Sequence, residues 1–193
     1  MVEEMIEKSL AEAVEKHREG VVIMIELPAE HYLEANSVIV KSLTSTGYDG
    51  TYISFQRPFK NLSSLLTQQG IDINKLLFID AASAFAEEIQ EKNPRCIHIS
   101  PAVDIDELVR AIYTSLPELK SEKRFIFIDS LTTIALYKPL SETMRFCEFL
   151  IKTVRKRGVQ KIILIFNVAK DLAQKKFIRD IALRVDQVIS VVK

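Results

Sequence analysis

Glycine is scarce in this sequence, and its scarcity argues against a phosphate-binding loop. Only five glycines occur among 193 residues. Gly20, Gly47, Gly70 and Gly158 stand where helices are predicted to end, and Gly50 is predicted to lie in the turn before a strand. Because each glycine has a local role, none is left for the glycine-rich loop whose successive N–H groups surround a phosphate.

Cysteine and histidine are also rare, which argues against a disulfide framework and a metal centre. Cys96 and Cys147 are the only two cysteines; they have no CxxC or metal-ligand spacing, and a chain of this length does not need a disulfide. His17, His31 and His98 are far apart in the sequence and form no ligand pair. We therefore expect reduced, buried thiols, and histidines that lie on the surface or in strands.

The sequence has no excess of charge of either sign and no long apolar run. Lysine and arginine together number 26, as do aspartate and glutamate, so no overall field attracts nucleic acid or an anionic membrane. Acidic residues begin at Glu3, where a signal peptide would be basic, and no apolar stretch is long enough for a membrane span. We therefore expect a cytoplasmic protein with neither nucleic acid nor membrane as its partner.

Continuous apolar runs alternate with amphipathic segments along most of the chain. Residues 125–128 leave no polar face, so this strand is expected to be covered on both sides, as in a parallel sheet between two layers of helices. The alternation predicts one α/β domain over residues 1–193, with an amphipathic helix at 1–19 and a core at 20–193. The predicted strands are 21–27, 51–55, 76–79, 96–99, 124–128, 161–166 and 185–192, and helices are predicted at 2–19, 29–46, 59–69, 141–158 and 171–183, with residues 81–95 irregular.

Side chains that can cap helices mark several of the predicted helix starts. Asp104 and Glu107 have the spacing of a capping box, which predicts a further helix that ends near Pro117. Ser141 is predicted to cap the helix at 141–158, and Asp171 to begin the helix at 171–183.

Asp129 stands directly after the apolar strand and before a cluster of hydroxyl side chains. Ligands of open α/β sheets bind outside the carboxyl ends of the strands, so an acid at this point could meet a metal-bound phosphate. The alternative is that Asp129 caps the turn after the strand. The residues themselves leave both interpretations open.

Three stretches of the sequence resemble the KaiC and RecA-type ATPase domain of the P-loop superfamily. RFIFIDSLTTI resembles the family's Walker B strand, where an aspartate helps to hold magnesium; this position is Asp129, followed by Ser130. GVQKIILIFN resembles the next core strand, which ends in a polar residue near the γ-phosphate, here Asn167, and IALRVDQVISVV resembles the terminal strand. The resemblance implies a three-layer α/β/α fold with a mostly parallel sheet, in which strand 161–166 lies between strands 21–27 and 124–128.

The sequence departs from this family at the parts that carry out catalysis. Pro28, Ala29, Glu30 and His31 occupy the place of the phosphate loop; the proline removes a backbone donor, and the Glu30 carboxylate stands at the positive helix end. Lys41 is about 16 Å further along the helix, too far to replace the loop's lysine. The family's second strand is usually followed by glutamates, one of which is the catalytic base, whereas here Gln56 and Arg57 follow it, and an amide cannot accept the proton.

These departures favour a KaiC/RecA-like homologue that has lost ATPase activity and acts as a regulatory, assembly or partner-binding module. Its expected partner is a protein, either a second copy of the chain or another chain, and no cofactor is expected. Residues 81–95 and the N-terminal helix are predicted to be exposed for such contacts. The alternative is a protein that binds Mg-ATP in an altered mode through Asp129, Ser130, Arg57 and Asn167, with the metal at Asp129. A different enzyme on the same sheet is the third possibility.

Two further groups of charged residues have both a structural and a functional interpretation. A basic cluster around a helix end complements the helix dipole, or forms a nucleic-acid patch; it consists of Lys152, Arg155, Lys156, Arg157 and Lys161. Asp80 is expected to form an ion pair with Arg57 or Lys60, or to belong to an anion or ligand site with them. A metal site that joins Asp80 to Asp129 would need a third ligand, and the sequence offers no obvious one.

Overall fold

A computed structural model describes residues 2–17, 20–86, 92–156, 161–172 and 175–191. Its centre is a seven-stranded sheet in which every pair of neighbouring strands is parallel. The strands are β1 (Val21–Leu27), β2 (Asp49–Ser54), β3 (Leu76–Asp80), β4 (Cys96–His98), β5 (Arg124–Asp129), β6 (Ile162–Ala169) and β7 (Gln187–Ser190).

The strand order is β4-β3-β2-β5-β6-β1-β7. Strand β6 therefore lies between β1 and β5, which confirms the order that the family resemblance implied. All seven strands have their carboxyl ends at one edge of the sheet, so the residues that follow β1, β2, β3 and β5 are brought together there.

Helices cover both faces of the sheet and explain why its central strands have no polar side. One face of β1 contributes Val22 and Met24 to a core that also includes residues of α5, α7 and α8, and the other contributes Val21 and Ile23 to a core with α1, α2 and α3. The helices are α1 (Val2–Lys16), α2 (Tyr32–Ser45), α3 (Phe59–Gln68), α4 (Ala82–Ala86), α5 (Ile105–Ser115), α6 (Leu131–Tyr137), α7 (Leu140–Arg155) and α8 (Lys176–Ala182).

Strands β2 and β6 extend further than the sequence predicted. Strand β2 begins at Asp49, so Gly50 lies inside the strand and the predicted turn position is wrong. Strand β6 continues to Ala169, three residues past the predicted end. The polar side chain of Asn167 does not end the strand, because it is buried between the sheet and the helices that cover it.

Three helix starts also differ from the predictions. Pro139, not Ser141, is the N-cap residue of α7, and no side chain caps the start of this helix. The predicted helix from Asp171 is a 3₁₀ turn, Lys170–Leu172, and α8 begins only at Lys176. Helix α2 likewise begins at Tyr32, after a 3₁₀ turn at Ala29–His31.

The capping box before α5 is confirmed at one of its two residues. The Asp104 carboxylate accepts hydrogen bonds from the backbone N–H groups of Asp106 and Glu107, and these bonds lower the pKa of Asp104. Glu107 instead accepts hydrogen bonds from the N–H and hydroxyl groups of Ser100. Glu107 therefore fixes the loop after β4 and does not close the box.

The predicted helix ends at Gly47 and Gly70 are confirmed, with φ angles of +92° and +74°. Gly158 and Arg157 lie outside the described residues, as do residues 87–91 of the segment 81–95 that was predicted to be irregular and exposed. The prediction is wrong for its first part, because Ala82–Ala86 form α4 and residues 81–84 are buried. Among the described helices, none combines the length and apolar composition that crossing a bilayer requires.

Candidate functional site: a buried polar cluster

Four polar side chains form a hydrogen-bonded chain inside the helix-covered face of the sheet that packs on α2. Asn167 Nδ2 donates to Asn36 Oδ1 at 2.6 Å, Asn36 Nδ2 reaches the Tyr52 hydroxyl at 3.5 Å, and that hydroxyl donates to Asp129 Oδ2 at 2.6 Å. Each of these side chains is at most 4% exposed. We call Asn36, Tyr52, Asp129 and Asn167 the buried polar cluster.

The topology explains how residues so distant in sequence meet. Asn167 of β6 pairs with Ile25 of β1, and Asp129 of β5 pairs with Ser54 of β2. Tyr52 stands two residues before Ser54, so its side chain projects from the same face as that of Asp129. Asn36 approaches from α2, which covers this face, and completes the connection between β6 and β2.

Asp129 is a carboxyl group held in an environment that disfavours its charge. Burial raises its pKa from 3.8 to about 6, against the opposing effects of the hydrogen bond from Tyr52, the nearby Asn36 amide and the positive charge of Arg57. Its Oδ1 atom and Asn167 Oδ1 are both buried and have no hydrogen-bond donor within the described residues. The turn-capping interpretation of Asp129 is therefore wrong, because the hydroxyl of Ser130 caps α6 instead.

Tyr32 lies next to the turn that follows β1. It is the first residue of α2, directly after the 3₁₀ turn, and its side chain is 9% exposed. Its hydroxyl faces the side chains of Thr132 and Ser130, and burial raises its pKa to about 12. An aromatic ring thus lies between the start of α2 and the residues that follow β5.

Ser130 and Gln56 join this region to the loop after β2. Gln56 Nε2 donates to the Ser130 hydroxyl at 3.1 Å, and that hydroxyl lies 3.0 Å from the Thr132 hydroxyl and 2.9 Å from the Thr133 hydroxyl. The peptide bond that precedes Ser130 is cis. The hydroxyl groups of this segment are therefore bonded to one another and to the glutamine.

The structure brings together three of the four predicted site residues in buried positions. Asp129, Ser130 and Asn167 are each at most 2% exposed, whereas Arg57 is exposed and acts on Asp129 through its charge. Asn167 was predicted to stand at the end of its strand, but β6 continues beyond it to Ala169. The Asn167 side-chain amide donates a hydrogen bond to Asn36. Arg57 is held through its backbone, whose N–H and carbonyl both contact the Ser54 hydroxyl.

Asp80 lies in a separate environment on β3. Its Oδ1 accepts from the Ser83 N–H, its Oδ2 accepts from the Ser83 hydroxyl and the Phe59 N–H, and His98 Nδ1 is 3.6 Å from Oδ2. The predicted ion pair with Arg57 or Lys60 is not among these contacts. Asp80 and Asp129 each pair with Ser54, on opposite sides of β2, so their backbones lie about 10 Å apart across the sheet. Their carboxylates accept hydrogen bonds from different groups.

The basic cluster near the end of α7 makes intramolecular contacts. The Arg155 guanidinium contacts the Arg184 carbonyl and the Asp186 carboxylate, and Lys161 Nζ donates to the Val14 carbonyl. Arg155 and Lys161 therefore connect this end of the domain to the segment before β7 and to α1.

The all-parallel sheet, with its Walker B-like strand β5 next to β6, defines a RecA-like α/β/α ATPase fold. The family described as "ATPase: KaiC" matches residues 33–192, and the chain belongs to this family. No curated protein matches it.

Several solved archaeal structures share the fold at low sequence identity. The uncharacterized protein PH0321 of Pyrococcus horikoshii, solved with an unknown peptide, has a TM-score of 0.68 and 14% identity over 95% of this chain and 82% of its own. The KaiC-like protein PH0186 of the same organism has a TM-score of 0.58 and 17% identity over 89% and 71%. The flagellar accessory protein FlaH of Methanocaldococcus jannaschii has a TM-score of 0.59 and 15% identity over 94% and 76%.

Proposed function

We propose that this chain is a cytoplasmic KaiC-family domain that does not hydrolyse ATP and acts as a regulatory, assembly or partner-binding module. The observation that supports this best is the turn after β1. It holds Pro28 and Glu30 in place of a glycine loop with its lysine, and the adjoining Tyr32 ring is packed against the segment that follows β5.

Phosphoryl transfer requires a fixed γ-phosphate, a bound metal and an oriented water molecule. The loop and lysine that would fix the phosphate are absent from the sequence. Gln56, which stands where a catalytic base is expected, donates a hydrogen bond from Nε2 to the Ser130 hydroxyl. Asp129, at the position where the family binds magnesium, already accepts a hydrogen bond from Tyr52, and its side chain is only 2% exposed. Magnesium retains most of its waters and relies on phosphate oxygens, so a single buried aspartate binds it poorly.

We expect the purified protein to show no ATP hydrolysis above a blank, with magnesium present, in either the natural chain or the Asp129→Asn variant. We also expect Mg-ATP to leave the melting temperature unchanged. If the protein did bind Mg-ATP, a concentration of 100 times Kd would add about 2.7 kcal/mol of stability and raise the melting temperature. Steady-state phosphate release and a melting curve with and without Mg-ATP measure the two effects. Turnover that the variant abolishes would refute the proposal.

Nucleotide binding in an altered mode is the second candidate function, and the buried polar cluster favours it. Asp129 Oδ1 and Asn167 Oδ1 are acceptors without a donor among the described residues, and burying such groups costs free energy. Perturbed acids of this kind are concentrated at functional sites. A melting shift with Mg-ATP but no turnover would select this candidate, with Asp129, Ser130, Arg57 and Asn167 as the binding residues and Asp129 at the metal.

The connection between α6 and α7 supports a protein partner. Leu136, Tyr137 and Leu140 are 70%, 58% and 53% exposed within five consecutive residues, and we call them the α6–α7 apolar patch. Exposed apolar residues in one place are typical of protein contacts. The similar structure of PH0321 holds a bound peptide, which agrees with a peptide- or protein-binding role. The N-terminal helix offers less, because Ile6, Leu10 and Ala13 are already buried against the domain.

We expect the chain to self-associate through the α6–α7 apolar patch. Light scattering at high concentration should give a mass well above 22.0 kDa, and Leu140→Glu should return it to the monomer. Leu183→Glu is the matched control, because Leu183 is 85% exposed on a different helix end and should leave the assembly intact. A natural chain that stays monomeric would contradict self-association and restrict the proposal to a different protein partner.

A further inference from the structure

Side chains of β3 and β4 that the KaiC-like site does not use converge at the carboxyl edge of the sheet. Asp80, Cys96 and His98 each offer one ligand atom, and these atoms all lie within 4.8 Å of one another. From this geometry we propose that the three residues form a binding site for a divalent transition-metal ion, with Zn²⁺ as the preferred ion. The site is independent of the proposed function.

The parallel register of β3 and β4 creates this arrangement. Asp80 pairs with His98 and Phe78 pairs with Cys96, and Cys96 and His98 are two residues apart on one strand. Alternate residues of a strand share a face, so the thiol, the imidazole and the carboxylate all project from the same side of the sheet. Asp80 is 1% exposed, whereas Cys96 and His98 are only partly buried. An ion from solvent can therefore reach the three side chains from the side of Cys96 and His98.

The distances agree with tetrahedral coordination. Zinc lies about 2.0–2.3 Å from nitrogen, oxygen and sulfur ligands, so ligand atoms around a tetrahedral ion are separated by about 3.5 Å. His98 Nδ1 and Asp80 Oδ2 are already 3.6 Å apart. The largest separation, 4.8 Å, requires a movement of about 1 Å, which a rotation of the partly buried Cys96 or His98 side chain supplies.

The Asp80 carboxylate is held in position as metal-binding carboxylates usually are. Ser83 donates to it through both its N–H and its hydroxyl, at 2.8 Å and 2.6 Å, and the Phe59 N–H donates at 2.8 Å. An ionised carboxylate has about four acceptor positions. The three hydrogen bonds use both positions of Oδ2 and one of Oδ1, so the position left for a metal is on Oδ1. Outer donors of this kind orient the ligand and prevent it from rotating away.

The choice of ion follows from the three ligand types. A thiolate, an imidazole and a carboxylate combine soft and hard donors, a set that suits zinc and other late first-row ions and does not suit magnesium or calcium, which take oxygen ligands. Three protein ligands leave the fourth position of a tetrahedral ion for water or another ligand.

The test is a titration of the metal-free full-length protein with Co²⁺, a spectroscopic substitute for Zn²⁺. We expect saturation at one ion per chain, with the absorption bands of a tetrahedral ion and a thiolate charge-transfer band. Cys96→Ser should abolish the charge-transfer band, because the only other cysteine, Cys147, is fully buried in the core. His98→Ala should weaken binding at least about tenfold. The matched control is His31→Ala, which should bind as the natural chain does.

A second measurement protects the test against a misfolded variant. Zn²⁺ should raise the melting temperature of the natural chain and of His31→Ala, and should not raise that of His98→Ala, whose folding is checked by circular dichroism. The proposal is overturned if Co²⁺ binding does not saturate, if the thiolate charge-transfer band survives in Cys96→Ser, or if His98→Ala and His31→Ala bind Co²⁺ with equal affinity. In these outcomes the three side chains form only a structural contact between β3 and β4.

Discussion

Replacing Asp129 with asparagine should raise the free energy of unfolding at pH 7.5 by about 1–3 kcal/mol. Burial holds the pKa of the carboxyl at about 6, above its ordinary value of 3.8, so the ionised form is present at pH 7.5 at a cost. The difference between these two pKa values corresponds to about 3 kcal/mol. Asparagine has the same shape, can still accept the hydrogen bond from Tyr52, and carries no charge.

The same reasoning fixes the sign of the pH dependence. Between pH 4 and pH 6 the folded state binds more protons at Asp129 than the unfolded state does, so the free energy of unfolding falls as the pH rises. The stabilisation is fully present below about pH 4 and lost above about pH 6. The charged or titratable neighbours are Arg57, Tyr52 and Tyr32. Burial raises the pKa of Tyr52 well above 10 and that of Tyr32 to about 12, so both tyrosines stay neutral.

Urea unfolding from pH 4 to pH 8 measures both effects. The natural chain should lose stability over this range, and Asp129→Asn should lose less. The matched control is Asp49→Asn, since Asp49 is also buried, at 9% exposure, but accepts hydrogen bonds from the N–H groups of Lys120 and Ser121. This variant should gain no stability. Equal pH profiles for the natural chain and Asp129→Asn would show that the carboxyl is not held in its neutral form.

Replacing Gly50 with alanine should lower the free energy of unfolding by about 2–3 kcal/mol, although alanine normally suits a strand better than glycine. Gly50 pairs with Phe125, whose ring lies directly over it. A Cβ atom on Gly50 would lie 2.1 Å from Phe125 Cζ and 2.3 Å from both Cε atoms, in a fully buried part of the core. The ring cannot withdraw without disturbing its neighbours.

A double-mutant cycle separates this clash from a general effect of the substitution. Phe125→Leu removes the ring atoms, so it should be less harmful in the Gly50→Ala chain than in the natural one, with a coupling energy of about 1 kcal/mol or more. Gly47→Ala is the control: no atom lies within 4 Å of its added Cβ, and its cost comes from a φ of +92°. It should show no coupling to Phe125→Leu. Additive effects at Gly50 and Phe125 would contradict the proposed contact.

The sequence predicts the layers of this fold because the relevant signals are local, whereas the strand order was implied by the resemblance to the KaiC and RecA-type family. Runs such as 125–128 have no polar side, which requires cover on both faces, and the alternation with helices requires parallel strands. The boundaries failed where tertiary contacts decide them. Gly50 was predicted to lie in a turn because glycine is common there, and only the position of the Phe125 ring explains its place inside β2.

The candidate site was predictable at its acid but not at the groups that surround it. Asp129 follows an apolar strand, which is a local signal. Tyr52 and Asn36 were missed, because their hydrogen bonds span separations of 77 and 131 residues and depend on the strand order. The spacing of Cys96 and His98 does indicate a shared strand face, but the third ligand, Asp80, depends on the register between β3 and β4.

The strand order also affects how copies of this chain can meet. The two outermost strands, β4 with three residues and β7 with four, are the shortest of the sheet. A short outer strand offers few unpaired backbone groups to a strand from another molecule, so the sheet is poorly suited to growth by strand addition. Assemblies of this protein should therefore join through side chains on its helical layers, and should come apart without the persistence of cross-β fibres.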